Sequence, residues 1–424
     1  MTGRFANIIV DISHEKVDRP FQYLIPPQLQ NVLEVGMSVM IPFGRGNKLI
    51  RGYVIELTDQ AEYDVSRLKA VDSIVECGVS AQADSIRLAY WLKEHYGSTM
   101  IAALKTVLPV KKKMKQVVKK TVHCKVDAET AYRHSVIFEA KHQTAKCRLM
   151  RELSQTSQLP YTLVTGKLNI AAVTIRSLAD AGLIEVTEEN VYRKPVLKSD
   201  LSGKDGTAKQ LSAEQQAVVD AISQDYSQGI SQTYLLRGIT GSGKTEVYMA
   251  LIERMIASGK QAIVLIPEIA LTYQTLLRFY LRFGDRVSVM NSRLSPGERS
   301  DQYERAAKGE IDIMIGPRSA LFTPFERLGL VIIDEEHESS YKSETMPKFH
   351  AREVAQELCR MKHASLLLGS ATPSLESYYR ARQGEIPLFT LNSRLTGGEL
   401  PRVYVEDLRE ELKSGNRSIF SRKL

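Results

Sequence analysis

The stretch RGITGSGKTEVY, residues 237–248, follows the apolar run TYLLR and precedes TEVYMALIERMIASG, whose apolar residues recur at helical spacing. Gly238, Gly243, Lys244 and Thr245 occupy each fixed position of G-x-x-x-x-G-K-[ST]. With Gly241, these glycines let the backbone turn its N–H groups toward phosphates, and the following helix N-terminus adds positive potential. A phosphate cradle between a buried strand and a helix belongs at the edge of a parallel sheet covered on both faces. The runs QAIVLIP, VSVMN, IDIMIGP, LGLVIIDEEH and SLLLGSAT continue the same alternation of strand and helix from residue 211 onward. The expected ligand is ATP with Mg²⁺. Lys244 would neutralise the β- and γ-oxygens, and the Thr245 hydroxyl would bind the metal.

Such a site needs an acidic residue at the end of a buried strand, and LGLVIIDEEH, 328–337, supplies it. Asp334 is expected to hold Mg²⁺ through water, and Glu335 to orient or deprotonate the attacking water. In LSAEQ, Gln215 is placed to read an adenine edge. Ser212 with Gln215 three positions on also reads as a helix capping box, and both roles are compatible. Loops at strand ends line the ligand crevice of an open α/β sheet. Thr272, Arg318 and Ser319 are therefore expected on a single-strand backbone, and Ser370 and Thr372 between the nucleotide and that groove.

Upstream, residues 1–109 read as a β-rich module closed by helical AQADSIRLAYWLKEHYG, followed by a basic linker over 110–120, VKKKMKQVVKK. That linker either touches phosphate or is a solvated connector. Over 121–198, CRLMRELSQ and AAVTIRSLADAG read as amphipathic helices, with LIEV and EENVYR as a terminal two-stranded ribbon. This is the order of a winged-helix module, a pattern that also serves protein binding or packing. Residues 199–210 read as a polar linker. The chain has 424 residues, and 57 Lys and Arg against 49 Asp and Glu give a net charge of +8, which suits a polyanionic partner. Cys77, Cys124, Cys147 and Cys359 offer no C-x-x-C metal spacing. With no long apolar run, the expected setting is cytoplasmic and away from membranes.

Taken in order, GITGSGKTEVY, PEIALT, GPRSALFTPF, DEEHESSYK, FHAREVA and GSATPSLES resemble the first motor lobe of superfamily 2 helicases, and among these the PriA family of bacterial primosomal helicases. The resemblance is strong over 211–424 and weaker over 1–200. It implies a multidomain α/β chain: a small β-rich N-terminal DNA-binding domain, a winged helix, and a RecA-like P-loop lobe with a parallel sheet and flanking helices. It implies a 3′→5′ DNA helicase and DNA-dependent ATPase of replication restart that recognises forked DNA and starts primosome assembly. In that family the segment after DEEH is an aromatic-rich DNA-sensing loop, which here carries Tyr341, Lys342, Phe349, His350 and Arg352. Tyr341 and Phe349 have packing under a surface loop as their alternative. Resemblance also implies a pocket for the 3′ end of a leading strand, formed by Phe21, Gln22, Gly44 and Lys69. Gln22 stands where some members have Asp, leaving an amide oxygen to meet the 3′-hydroxyl.

The sequence finishes at LKSGNRSIFSRKL, where the resemblance implies a second motor lobe with its transition-state arginine and a zinc-binding cysteine cluster. This segment is expected to bind forked and single-stranded DNA and ATP, with weak hydrolysis. Zinc is expected only in the remainder. Other primosome proteins and single-stranded-DNA-binding protein are the implied protein partners. The alternative is a fork-binding platform that uses nucleotide only as a switch.

Overall fold

A computed structural model describes residues 4–12, 14–75, 83–108, 117–191, 210–394 and 403–424. Three separate sheets organise the described residues. The first contains β1 (Phe5–Val10), β2 (Phe21–Leu24), β3 (Ser38–Phe43), β4 (Lys48–Thr58) and β5 (Ser73–Val75) in the order β2-β1-β4-β3-β5, with antiparallel pairings. All of β1 is buried because its two faces serve different cores. Ala6, Ile8 and Val10 meet Tyr23, Val39, Ile41 and Val54 inside the sheet module, while Ile9 meets Leu88, Leu92, Ile101 and Leu104.

Those last residues lie on α1 (Ala83–Tyr96) and α2 (Met100–Val107). Asp18 ties both helices to the sheet: one carboxylate oxygen accepts the Met100 N–H at 2.6 Å, and the other lies 3.2 Å from Lys93 Nζ. Because Met100 opens α2, this carboxylate also complements the helix N-terminus.

The second sheet has β6 (Val117–Cys124) at its centre, between β7 (Gln158–Pro160) and β8 (Ile184–Val191). Around it run α3 (Ala128–Ala140), α4 (Thr144–Gln155), α5 (Tyr161–Thr165) and α6 (Ala172–Asp180). The helices α4 and α6 fall where the sequence places them, α3 and α5 come in addition, and the terminal ribbon differs. LIEV and EENV form one continuous strand, and its partner is β6, from the far end of the module. Val122, buried in the module's core, stands opposite Val186, and at the exposed edge Lys120 pairs with the facing Glu188. Part of the basic 110–120 segment is thus a strand. Its residues 110–116, most of the 199–210 linker and Cys77 lie outside the described residues.

The third sheet is fully parallel. It comprises β9 (Thr233–Gly238), β10 (Gln261–Leu265), β11 (Val287–Val289), β12 (Ile313–Gly316), β13 (Leu328–Asp334), β14 (Ser365–Ser370) and β15 (Leu388–Leu391), ordered β11-β12-β10-β13-β14-β9-β15. The helices of this lobe are α7 (Ala213–Ser227), α8 (Lys244–Ala257), α9 (Tyr273–Phe283), α10 (Pro296–Ala307), α11 (Ala351–Lys362) and α12 (Leu375–Arg382), followed by the short α13 (Leu408–Lys413). Leu235, Ile263, Leu265, Val331, Ile333, Leu366 and Leu368 face one core; Tyr234, Leu236, Ala262, Val264, Leu330, Ile332 and Leu367 face the other. Burial on both sides is why these strands read as unbroken apolar runs.

The first module docks on this lobe through α1 and α11. Lys362 Nζ lies 2.6 Å from Asp84, and Tyr96 donates its hydroxyl proton to Glu353 while accepting the His350 N–H at 3.2 Å. No helix among the described residues is long and apolar enough to cross a membrane.

Replacing Asp18 by Ala removes the acceptor at the start of α2 together with its ion pair. The expected cost is about 1–2 kcal/mol in the unfolding of the first module. Urea denaturation of the variant checks this, and Asp18→Asn is expected to recover part of the loss.

Candidate nucleotide site and nucleic-acid interface

β9 ends at Gly238 and α8 begins at Lys244. Between them Gly241 and Gly243 take positive φ values of 83° and 78°, which a side chain would strain. Lys244 folds back, its Nζ donating to the Gly238 carbonyl at 2.9 Å and standing 3.8 Å from Glu335. Thr245 lies half-buried in the first turn of α8. Inside the loop the Ser242 hydroxyl is buried with no hydrogen-bond partner. An orphaned donor among convergent N–H groups and a lysine fits a triphosphate, because it is the kind of group a phosphate oxygen satisfies.

Gln215 supports this loop from below. It is 1% exposed, its amide nitrogen donates to the Ser242 carbonyl at 2.9 Å, and its oxygen accepts the Ser212 N–H at 2.9 Å. The capping box is formed, so the amide placed on an adenine edge by the sequence is turned instead onto the P-loop.

At the end of β13 the four residues DEEH point to four different partners. Asp334 accepts a hydrogen bond from the Tyr248 hydroxyl at 2.9 Å. Burial pushes the Asp334 carboxyl above its usual range, and the bond from Tyr248 opposes that shift. Glu335 adopts a positive φ of 47°, uncommon for a side-chain-bearing residue, and its carboxylate faces Lys244 and His337. Glu336 is fully buried. It accepts the Ser374 N–H at 2.6 Å, at the N-terminus of α12, as well as the Ser377 hydroxyl at 3.0 Å and Arg352 at 2.8 Å. His337 Nδ1 lies 2.8 Å from the Ser370 hydroxyl, whose oxygen also accepts the Thr372 N–H at 3.0 Å. Ser370 therefore joins the two motifs, while the Thr372 side chain is exposed.

The aromatic-rich loop needs correction. Tyr341 is 1% exposed, and its hydroxyl donates to the Leu265 and Asp334 carbonyls. Phe349 is 4% exposed and meets Phe322 edge-on at 5.5 Å. Neither ring offers a face to a base, because each fills the core beneath the loop. Arg352 is held by Glu336, Ser374 and Ser377, and the His350 ring caps α11 by accepting the Arg352 N–H. Lys342 alone of these residues is exposed, its ammonium 5.4 Å from the Tyr96 ring. Arg318 donates through Nη1 to the carbonyls of Ser340 and Lys342 at 2.9 and 2.6 Å, so this nitrogen clamps the loop. Thr272 caps α9 by accepting the Thr275 N–H, and Ser319 remains exposed.

In the first module the structure brings Phe21, Gln22, Gly44 and Lys69 to one cavity of about 790 Å³. Phe21 meets Phe43 edge-on at 5.1 Å, with the Arg19 guanidinium 5.3 Å from its centroid. Lys69 Nζ donates to the Gly44 carbonyl at 2.7 Å, and a Cβ added at Gly44 would meet nothing within 4 Å. Gln22 is more committed than expected: its oxygen accepts the Glu62 N–H at 2.8 Å and its nitrogen donates to the Gln60 carbonyl at 3.1 Å. It anchors residues 60–62, just before the Tyr63 and Asp64 that line the pocket. Arg45, Tyr63, Asp64 and Arg67 also line it. Sequence reasoning missed them because no local spacing marks residues that separate loops bring together. Tyr248 and Glu336 were also missed, although a lone hydroxyl within the apolar helix VYMALI is a visible signal.

Comparison with known proteins follows the same division. Residues 7–109 match the family described as 3′DNA-binding domain (3′BD), and residues 212–381 match the DEAD/DEAH box helicase family. Replication restart protein PriA of Bacillus subtilis (strain 168) is 34% identical over 484 residues, covering 99% of this chain and 60% of the relative. The protein of the same description from Chlamydia trachomatis is 32% identical over 428 residues, covering 98% and 55%. The chain belongs to the PriA family. It spans between half and two thirds of the length of these PriA relatives, and it carries the family's 3′-DNA-binding and helicase domains. Among solved structures, RecG bound to a three-way DNA junction aligns at a TM-score of 0.36 and 16% identity over 94% of this chain and 52% of that one.

The buried Glu336–Arg352 pair sets a stability test. Arg352→Ala leaves a carboxylate uncompensated in the core and is expected to cost about 3–5 kcal/mol by urea denaturation. Arg352→Ala combined with Glu336→Gln is expected to cost less than the single change.

Proposed function

We propose that this chain binds Mg²⁺·ATP on the P-loop and the 3′ end of a DNA strand in the N-terminal cavity, as the DNA-engaging part of a replication-restart helicase. The observation that carries this reading is the meeting of Lys244, Asp334 and Glu335 at a loop whose Ser242 hydroxyl is buried and unsatisfied. Lys244 leaves the Gly238 carbonyl for the β- and γ-oxygens. Thr245 and Asp334 hold the metal, which supplies neutralisation of charge on the transferring phosphoryl group. Glu335 orients and deprotonates water, and Ser370 passes the state of that site to the loop at Thr372.

In the cavity, Phe21 stacks on the terminal base, while Lys69 and the surrounding arginines hold phosphate. Gln22 keeps residues 60–62 in place and presents its remaining lone pair to the 3′-hydroxyl. The DNA is a branched fork with a leading-strand 3′ end, translocation runs 3′→5′, and other primosome proteins and single-stranded-DNA-binding protein are the partners. These finer features rest on family resemblance.

The test is steady-state ATP hydrolysis with and without a forked DNA bearing a free leading-strand 3′ end. DNA is expected to stimulate the rate, and Lys244→Ala to lower it by about 10²-fold or more while leaving fork binding intact. Hydrolysis that DNA does not stimulate, or that Lys244→Ala leaves unchanged, would sink the motor reading in favour of a nucleotide-switched platform. Phe21→Ala is expected to weaken binding of a 3′-terminated single strand by about 1–3 kcal/mol in a fluorescence titration, with hydrolysis on unforked single strands unchanged.

A further inference from the structure

The Tyr248 hydroxyl is a polar atom on the buried face of α8, among Val247, Leu251 and Ile252. Tyr248 is 1% exposed, and burial beside the Asp334 carboxylate keeps its phenol protonated, so it acts as donor. Its hydroxyl meets Asp334 Oδ1 at 2.9 Å. The ring reaches that carboxylate by passing directly over Gly369, where an added Cβ would overlap the phenolic oxygen and crowd the ring. Gly369 is the register partner of Asp334 in the β13–β14 pairing, and it lies one residue before Ser370. One hydrogen bond thus joins the P-loop helix to the DEEH strand, and the ring that makes it packs against the GSAT strand.

We propose that Tyr248 is the positioning residue for the metal-holding carboxylate: by fixing one oxygen of Asp334 from the core side, it presents the other to the cation, and Gly369 is the opening that admits it. The inference rests on the nucleotide reading given above. Buried carboxylates swing between rotamers unless a second group fixes them, and partners behind metal-holding side chains govern affinity through orientation. A merely structural tyrosine would fill volume without regard to its hydroxyl. Tyr248→Phe separates the two roles, because it keeps the ring and removes only the donor.

The experiment titrates a fluorescent ATP analogue into the unaltered chain, Tyr248→Phe and Gly369→Ala, each in excess Mg²⁺ and in EDTA, with thermal denaturation alongside. In Mg²⁺, Tyr248→Phe is expected to weaken nucleotide binding about tenfold or more, while affinity in EDTA stays within about twofold. Gly369→Ala displaces the same hydroxyl from the opposite side and is expected to give the same metal-selective loss. Equal affinities for Tyr248→Phe and the unaltered chain in Mg²⁺ would overturn the proposal, even if the melting temperature fell. Absence of Mg²⁺-dependent nucleotide binding in the unaltered chain would overturn the nucleotide reading itself, and this inference with it.

Discussion

The parallel pairing of β13 with β14 is the constraint on which the helicase lobe depends. It sets Asp334 opposite Gly369, so two motifs far apart in sequence end at one level of the sheet. From that level the chain turns at Glu335 with a positive φ, which separates the side chains of consecutive residues. One carboxylate then faces the P-loop lysine and the next enters the core at the start of α12. A parallel ladder holds this level because each strand is buried on both faces and cannot slip without exposing a whole apolar row.

The same economy of contact appears where the N-terminal module meets the lobe. Tyr96 closes α1 and at once begins the contact with α11, through Glu353 and the His350 N–H. His350 and Lys342 pair across the base of the post-DEEH loop, and Tyr341 ties that loop to the Asp334 carbonyl. Only a few covalent and hydrogen-bonded steps therefore separate α1 from the strand that carries Asp334.

Much of this was legible in the sequence, for identifiable reasons. The P-loop and the DEEH strand are encoded locally, in fixed spacing at a strand–helix junction, and both lie where that spacing places them. Helices α4 and α6 of the second module are encoded by period. Its last strand was misread because the true partner, β6, lies more than sixty residues upstream in a stretch that looks like a basic connector, and only the facing glutamates show otherwise. In the loop after DEEH the packing alternative is the one realised for Tyr341 and Phe349, and Arg352 is drawn into an ion pair with the buried Glu336. Tyr341, Phe349 and Arg352 have the composition of a nucleic-acid contact, but burial decides their role, and burial is not a local property. Gln215 shows how one amide can satisfy two motifs at once, the capping box and the loop it supports.

The antiparallel pairing of β6 with β8 has a topological consequence. Val117 and Val191, the first and last residues of the second module's strands, are register partners, so their α-carbons stand about 5 Å apart. The module is a closed detour: the chain leaves it beside the point at which it enters. Its size and content can change without altering the span between the parts on either side.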